Sequence, residues 1–110
     1  MKDNTLYLSH IRDAIEKIES YISDVNFDEF ACNSMMVDAV VRELAIIGEA
    51  TNNLSDDFRK KHPDIPFRDI IDMRNILIHD YAGVNIKVVW DTCKNNIPVL
   101  KDFVKTILDS

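Results

Sequence analysis

Glycine is nearly missing from this 110-residue sequence, with Gly48 and Gly83 the only two. Turns that need positive φ are built mostly with glycine, so a hairpin-rich β protein is excluded as the leading reading. Cysteine is as scarce. Cys32 and Cys93 stand far apart and show no Cys-x-x-Cys or Cys/His ligand spacing. Two free thiols are expected, not a disulfide framework or a zinc site. No apolar run approaches the roughly 20 residues of a membrane span. No basic-then-apolar leader opens the chain. A soluble cytoplasmic protein, forming one domain over residues 1–110, is the expectation.

Positive charge is also in deficit: 13 Lys and Arg face 19 Asp and Glu, for a net charge of −6. The imbalance is local. Up to Ile65 there are 7 basic against 13 acidic residues, and from Pro66 onward 6 against 6. Such a chain lacks the broad basic surface of a general nucleic-acid binder. Brief, local contact with RNA, as a nuclease makes, remains compatible with it.

What the sequence has in abundance is helical periodicity. Leu8, Ile11, Ile15, Ile18, Ile22 and Val25 recur at spacings of three and four, predicting a long helix from about Asn4 to Asp24 capped by Asp3 or Asn4. Asn26 and Glu29 have the form of a capping box for one short turn over Phe27 to Ala31. A second long helix is predicted from Asn33 or Ser34 to Leu54, with Met36, Val40, Leu44, Ile47, Thr51 and Leu54 as its stripe, broadened by Val37, Val41 and Ile46. Gly48 within it suggests close approach of another helix. Ser55 caps a short helix to about Lys61, and His62-Pro63-Asp64-Ile65-Pro66 ends it. Pro66 opens the next helix, Gly83 stops it, and Asn85 caps the one that follows. Pro98 bends or restarts that last segment, which runs on to the C-terminus. An all-α antiparallel bundle of four to five helices is the direct reading.

One segment carries candidate chemistry: Arg74-Asn75-Ile76-Leu77-Ile78-His79-Asp80-Tyr81. Arginine offers a planar fork to phosphate oxygens and stays charged as negative charge develops. Histidine exchanges protons near neutrality. At about 100° per residue Asn75 and His79 share one helical face, whereas Arg74 and His79 are about 140° apart. One straight helix does not aim both at a single phosphate. Either the helix unwinds near His79 or a two-fold axis brings two copies of the motif to one cleft, and the second is favoured. Paired histidines there could act as base and acid on a phosphodiester, with the RNA 2′-hydroxyl as nucleophile and no metal or other cofactor.

The plainer alternative is structural: Arg74 pairs with Asp72, Glu49 or Glu43, and His79 and Tyr81 satisfy themselves locally. Arg42 and Glu49, seven residues apart, share a face of the second long helix, where ion pairing is the default role and positioning of Arg74 a further one. His10 and His62 lack partners at ligand spacing and suit surface or capping roles.

The chain resembles the HepT-like toxins, within the HEPN (higher eukaryotes and prokaryotes nucleotide-binding) superfamily. The resemblance runs through His10–Glu19, Glu43–Ala50, His62–Pro66, Met73–Tyr81 and Val88–Trp90. It implies an α-helical bundle that dimerises with its Arg-x4-6-His motifs facing a shared cleft, acting as a metal-independent ribonuclease. Arg74 and His79 fall on the catalytic pair, and Asn75 on the polar position after the arginine. Tyr81 falls on the tyrosine that a minimal nucleotidyltransferase antitoxin modifies with AMP. A bulky anion beside the phosphate site would block the cleft and repel RNA. Two further readings stay open: a non-catalytic adaptor or nucleotide-binding module that docks the nucleotidyltransferase, and a purely structural bundle.

Overall fold

The computed structural model describes residues 4–72 and 85–109. Every regular element among them is helical. α1 spans Asn4–Ile22, α2 Phe27–Ala31, α3 Ser34–Asn52 and α4 Asp56–Lys61. The helix α5 is described over residues 67–72. A continuous rod follows: α6 over Ile86–Asp91, a π turn over Thr92–Asn96, and α7 over Ile97–Leu108. Three long rods thus build the bundle, and shorter helices join them. None is long and apolar enough to cross a membrane.

The predicted stripes are the core. Leu8, Ile11, Ile15, Ile18 and Ile22 of α1 are buried against Val40, Leu44 and Ile47 of α3, with Val25 partly buried. Burying each such side chain contributes about 1.5–3 kcal/mol. Gly48 is buried too. Met36, expected in the stripe, is only partly buried, and its neighbour Val37 takes the core position. Trp90 closes the end of the core against Phe30 and Phe27, with ring centres 5.2 and 6.0 Å away.

The caps follow the sequence closely. Asn26 and Glu29 form the reciprocal capping box, and Asn33, Ser55 and Asn85 each accept a backbone N–H three residues on. Asn4 does something the sequence did not suggest. Its carboxamide accepts from the Ser55 backbone N–H at 3.0 Å and donates to the Ser55 hydroxyl at 3.1 Å. The start of α1 is thereby tied to the cap of α4. Asp3 and Gly83, the other suggested cap and stop, lie outside the described residues.

Two helices end slightly earlier than their patterns suggest. α1 stops at Ile22 because Asp24 adopts φ 59°, and the Val25 N–H turns back to the Ile22 carbonyl at 3.1 Å. An aspartate tolerates that left-handed geometry better than most side chains. α3 stops at Asn52, where Asn53 caps it and the Asn53 amide reaches back to the Glu49 carbonyl at 3.0 Å.

At Pro98 the segment restarts as an α-helix: α7 begins at Ile97 with the proline in its first turn. Proline has no N–H for the carbonyl four residues back and its ring crowds that carbonyl. The turn before it is wide, with the Ile97 N–H bonded to the Thr92 carbonyl, five residues back.

Candidate functional site

The site is built from α5 outward. Its first turn is closed by the Phe67 N–H to the Ile65 carbonyl at 2.8 Å and the Ile70 N–H to the Pro66 carbonyl at 3.2 Å. Phe67 packs edge-on against Phe58 of α4 at 6.1 Å. The Arg59 guanidinium lies 5.9 Å from the centre of the Phe67 ring. The same guanidinium donates through Nη2 to the carbonyls of Thr51 and Asn52, at 3.1 and 3.0 Å, in the last turn of α3. A cation there satisfies carbonyls that the helix leaves open and lies at the favourable end of its dipole. One side chain therefore joins the end of α3, α4 and the start of α5. His62 caps α4 and its ring lies 4.5 Å from that of Phe58.

From this anchor α5 runs toward the Arg74 motif, with Asp72 two residues before the arginine. Arg74, Asn75, His79 and Tyr81 themselves lie outside the described residues. The other flank of the motif segment is α6, begun by Asn85, whose side chain accepts from the Val88 N–H at 3.2 Å.

Between these two flanks opens a cleft of about 540 Å³. Leu44 of α3 contributes to its lining, α5 brings Asp69, Ile70 and Asp72, and the rod brings Val88, Thr92, Asn95, Asn96, Val99 and Leu100. The Thr92 hydroxyl donates to the Val88 carbonyl at 2.8 Å, so it is already engaged. Val88 and Val99 are large apolar side chains left half exposed there. The sequence did not reveal this cleft. Its one signal, Asn95-Asn96 ahead of Pro98, reads locally as no more than a helix break.

The positioning candidates on α3 are distributed unevenly. Arg42 and Glu49 are exposed. Glu43, weighed only as one of three acids that might meet Arg74, is 4% exposed, whereas Asp72 is exposed like Glu49. Cys32 and Cys93 are both free thiols. Burial pushes the Cys93 thiol up from 9.0 to about 12, only partly offset by nearby Lys94. It is no nucleophile near neutrality. Among the described residues, no three His, Cys, Asp or Glu side chains gather as a metal site.

Known proteins share this chain's pattern across nearly its whole length. The chain named "Probable ribonuclease HepT" from Thermococcus cleftensis is 46% identical over 95 residues, covering 86% of each chain. A "Putative RNase" of Caldanaerobacter subterraneus subsp. tengcongensis is 41% identical over 108 residues, 98% of this chain and 96% of that one. A Methanocaldococcus jannaschii protein named "Gamma-glutamylcyclotransferase and putative RNase" is 42% identical over 108 residues, 98% of this chain but 49% of that longer protein. No solved structure matches. The family model described as ribonuclease HepT-like matches residues 11–107, a span that holds α5, the cleft and the whole Arg74–Tyr81 motif. The chain belongs to the HepT-like ribonuclease family.

Proposed function

We propose that this protein is the toxin of a toxin–antitoxin pair, a metal-independent endoribonuclease that works as a homodimer in the cytoplasm. The observation that carries the reading is the family match over residues 11–107 with Arg74-x4-His79-x-Tyr81 intact inside it. The chain is one domain, and its active cleft forms where two copies meet. The helical wheel supports this, because Arg74 and His79 of one helix diverge by about 140°.

In that cleft Arg74 holds the scissile phosphate, and its charge stabilises the additional negative charge of the transition state. Neutral His79 of one copy removes the proton from the RNA 2′-hydroxyl. The 2′-oxygen attacks phosphorus, the bond from phosphorus to the 5′-oxygen breaks, and the protonated His79 of the other copy supplies the leaving oxygen with its proton. The products carry a 2′,3′-cyclic phosphate and a 5′-hydroxyl. DNA lacks the nucleophile.

Asn75 orients the substrate or His79, whose face it shares. Arg42 and Glu49 position the motif from α3. Glu43 joins them as the acid for Arg74, because a buried carboxylate gains most from a guanidinium. Tyr81 is the off-switch: its hydroxyl attacks the α-phosphorus of ATP on a minimal nucleotidyltransferase antitoxin, AMP is transferred and pyrophosphate leaves. The added anion closes the cleft to RNA.

Mixing wild-type chains with an excess of His79→Ala chains tests the shared cleft. A mixed dimer keeps a single His79 and lacks either the base or the acid, so activity falls toward the square of the wild-type fraction. Activity proportional to the wild-type fraction, with mixed dimers present, contradicts it. Mass spectrometry after co-expression with a cognate nucleotidyltransferase finds AMP on Tyr81 and none on Tyr81→Phe.

A further inference from the structure

The cleft between α5 and the π turn is unused by the chemistry above, yet it borders both ends of the motif-bearing segment. The geometry points to a nucleobase subsite in this cleft that selects guanine in the RNA next to the scissile phosphate. The inference rests on the ribonuclease reading for its substrate and on the cleft's own chemistry for the base.

The shape argument comes first. The cleft's volume of about 540 Å³ is ample for one flat base, and single-stranded RNA is read by splaying bases into such sites. Ile70, Leu100 and the half-exposed Val88 and Val99 offer apolar surface for the faces of a ring. The polar groups decide the rest. Asp69 and Asp72 come from α5 and Asn95 and Asn96 from the π turn. Two carboxylates repel a phosphate, so the cleft takes a base and leaves the backbone outside.

Carboxylates only accept hydrogen bonds, whereas an asparagine amide both donates and accepts. The Watson–Crick edge of guanine presents two adjacent donors, N1–H and the N2 amino group, beside the acceptor O6. One aspartate accepts both donors, and an asparagine NH₂ donates to O6. Uracil places carbonyl oxygens on both sides of its single N–H, so it sets acceptor against acceptor. Against the same aspartate it forms one hydrogen bond where guanine forms two, and it sets a carbonyl oxygen against the second carboxylate oxygen.

Isotope-labelled full-length protein titrated with guanosine and with uridine tests the assignment by NMR. Guanosine shifts the Asn95 and Asn96 side-chain amide signals saturably, uridine at equal concentration leaves them in place, and Asn95→Ala weakens guanosine binding about fivefold or more. In parallel, the ratio of cleavage next to G over cleavage next to U falls by a similar factor in Asn95→Ala. Both asparagines are exposed, so the variant keeps its fold, which its thermal melt verifies. Equal shifts with both nucleosides, or none, overturn the subsite even if RNA is cut. Contacts from a second protein copy to Val88 and Val99 that exclude guanosine also overturn it. Guanosine binding without any RNA cleavage sinks the ribonuclease reading and leaves the base site standing.

Discussion

The guanidinium of Arg59 faces the ring of Phe67 at 5.9 Å while its Nη2 serves two carbonyls at the end of α3. Three helices thus meet at one cation, and the third of them leads into the motif. Arg59→Ala removes a pair of charge-assisted hydrogen bonds and a ring contact. The expected loss is about 1–3 kcal/mol of stability. Denaturant unfolding measures it, and Arg59→Lys, which keeps the charge but not the planar fork, recovers only part.

Glu43 is expected to act through Arg74. Glu43→Gln lowers kcat/KM for RNA cleavage about tenfold, the scale of one lost charge-assisted hydrogen bond. In an Arg74→Lys background the same change costs much less, because the pair is already weakened. Additive effects in this cycle would show that Glu43 serves only the packing of α3.

Cys93 predicts a pH dependence with a definite sign. The folded chain holds the thiol proton up to about pH 12, whereas the unfolded chain releases it around 9. Its contribution to stability is full below pH 9 and is lost as pH rises from there toward 12, at about 1.4 kcal/mol per unit. Subtracting the stability–pH curve of Cys93→Ala isolates that slope from other groups titrating there. A thiol reagent near neutral pH labels exposed Cys32 fast and Cys93 only on unfolding.

Trp90 fills the end of the core against Phe27 and Phe30. Trp90→Ala therefore costs about 3 kcal/mol or more. The check is the midpoint of thermal unfolding followed by circular dichroism. A loss under about 1 kcal/mol would mean that the core closes without it.

Local signals carried most of the fold into view. The three-and-four spacing of Leu8 to Ile22 and the caps at Asn26, Ser55 and Asn85 depend on residues within a few positions of one another, so a sequence displays them directly. Contacts across long separations do not show. The pairing of Asn4 with Ser55 spans 51 positions, and the burial of Glu43 depends on which elements pack over α3. The cleft joins Asp69 and Asp72 to Asn95 and Asn96 across the motif segment, and no periodicity marks it. Pro98 was legible as a disturbance, but whether a helix breaks or widens depends on the packing that Ile97, Leu100 and Val104 retain beyond it. The motif stands out through residue types and spacing alone, and the second copy proposed to complete its cleft leaves no mark in either.

The most direct measurement is cleavage of single-stranded RNA by the purified wild-type protein in the presence of a chelator, with product ends identified. Wild type is expected to yield 2′,3′-cyclic phosphate and 5′-hydroxyl ends, and His79→Ala to lose at least about a hundredfold in rate. Intact RNA with the wild type, or a His79→Ala variant that cuts as fast, would contradict the account.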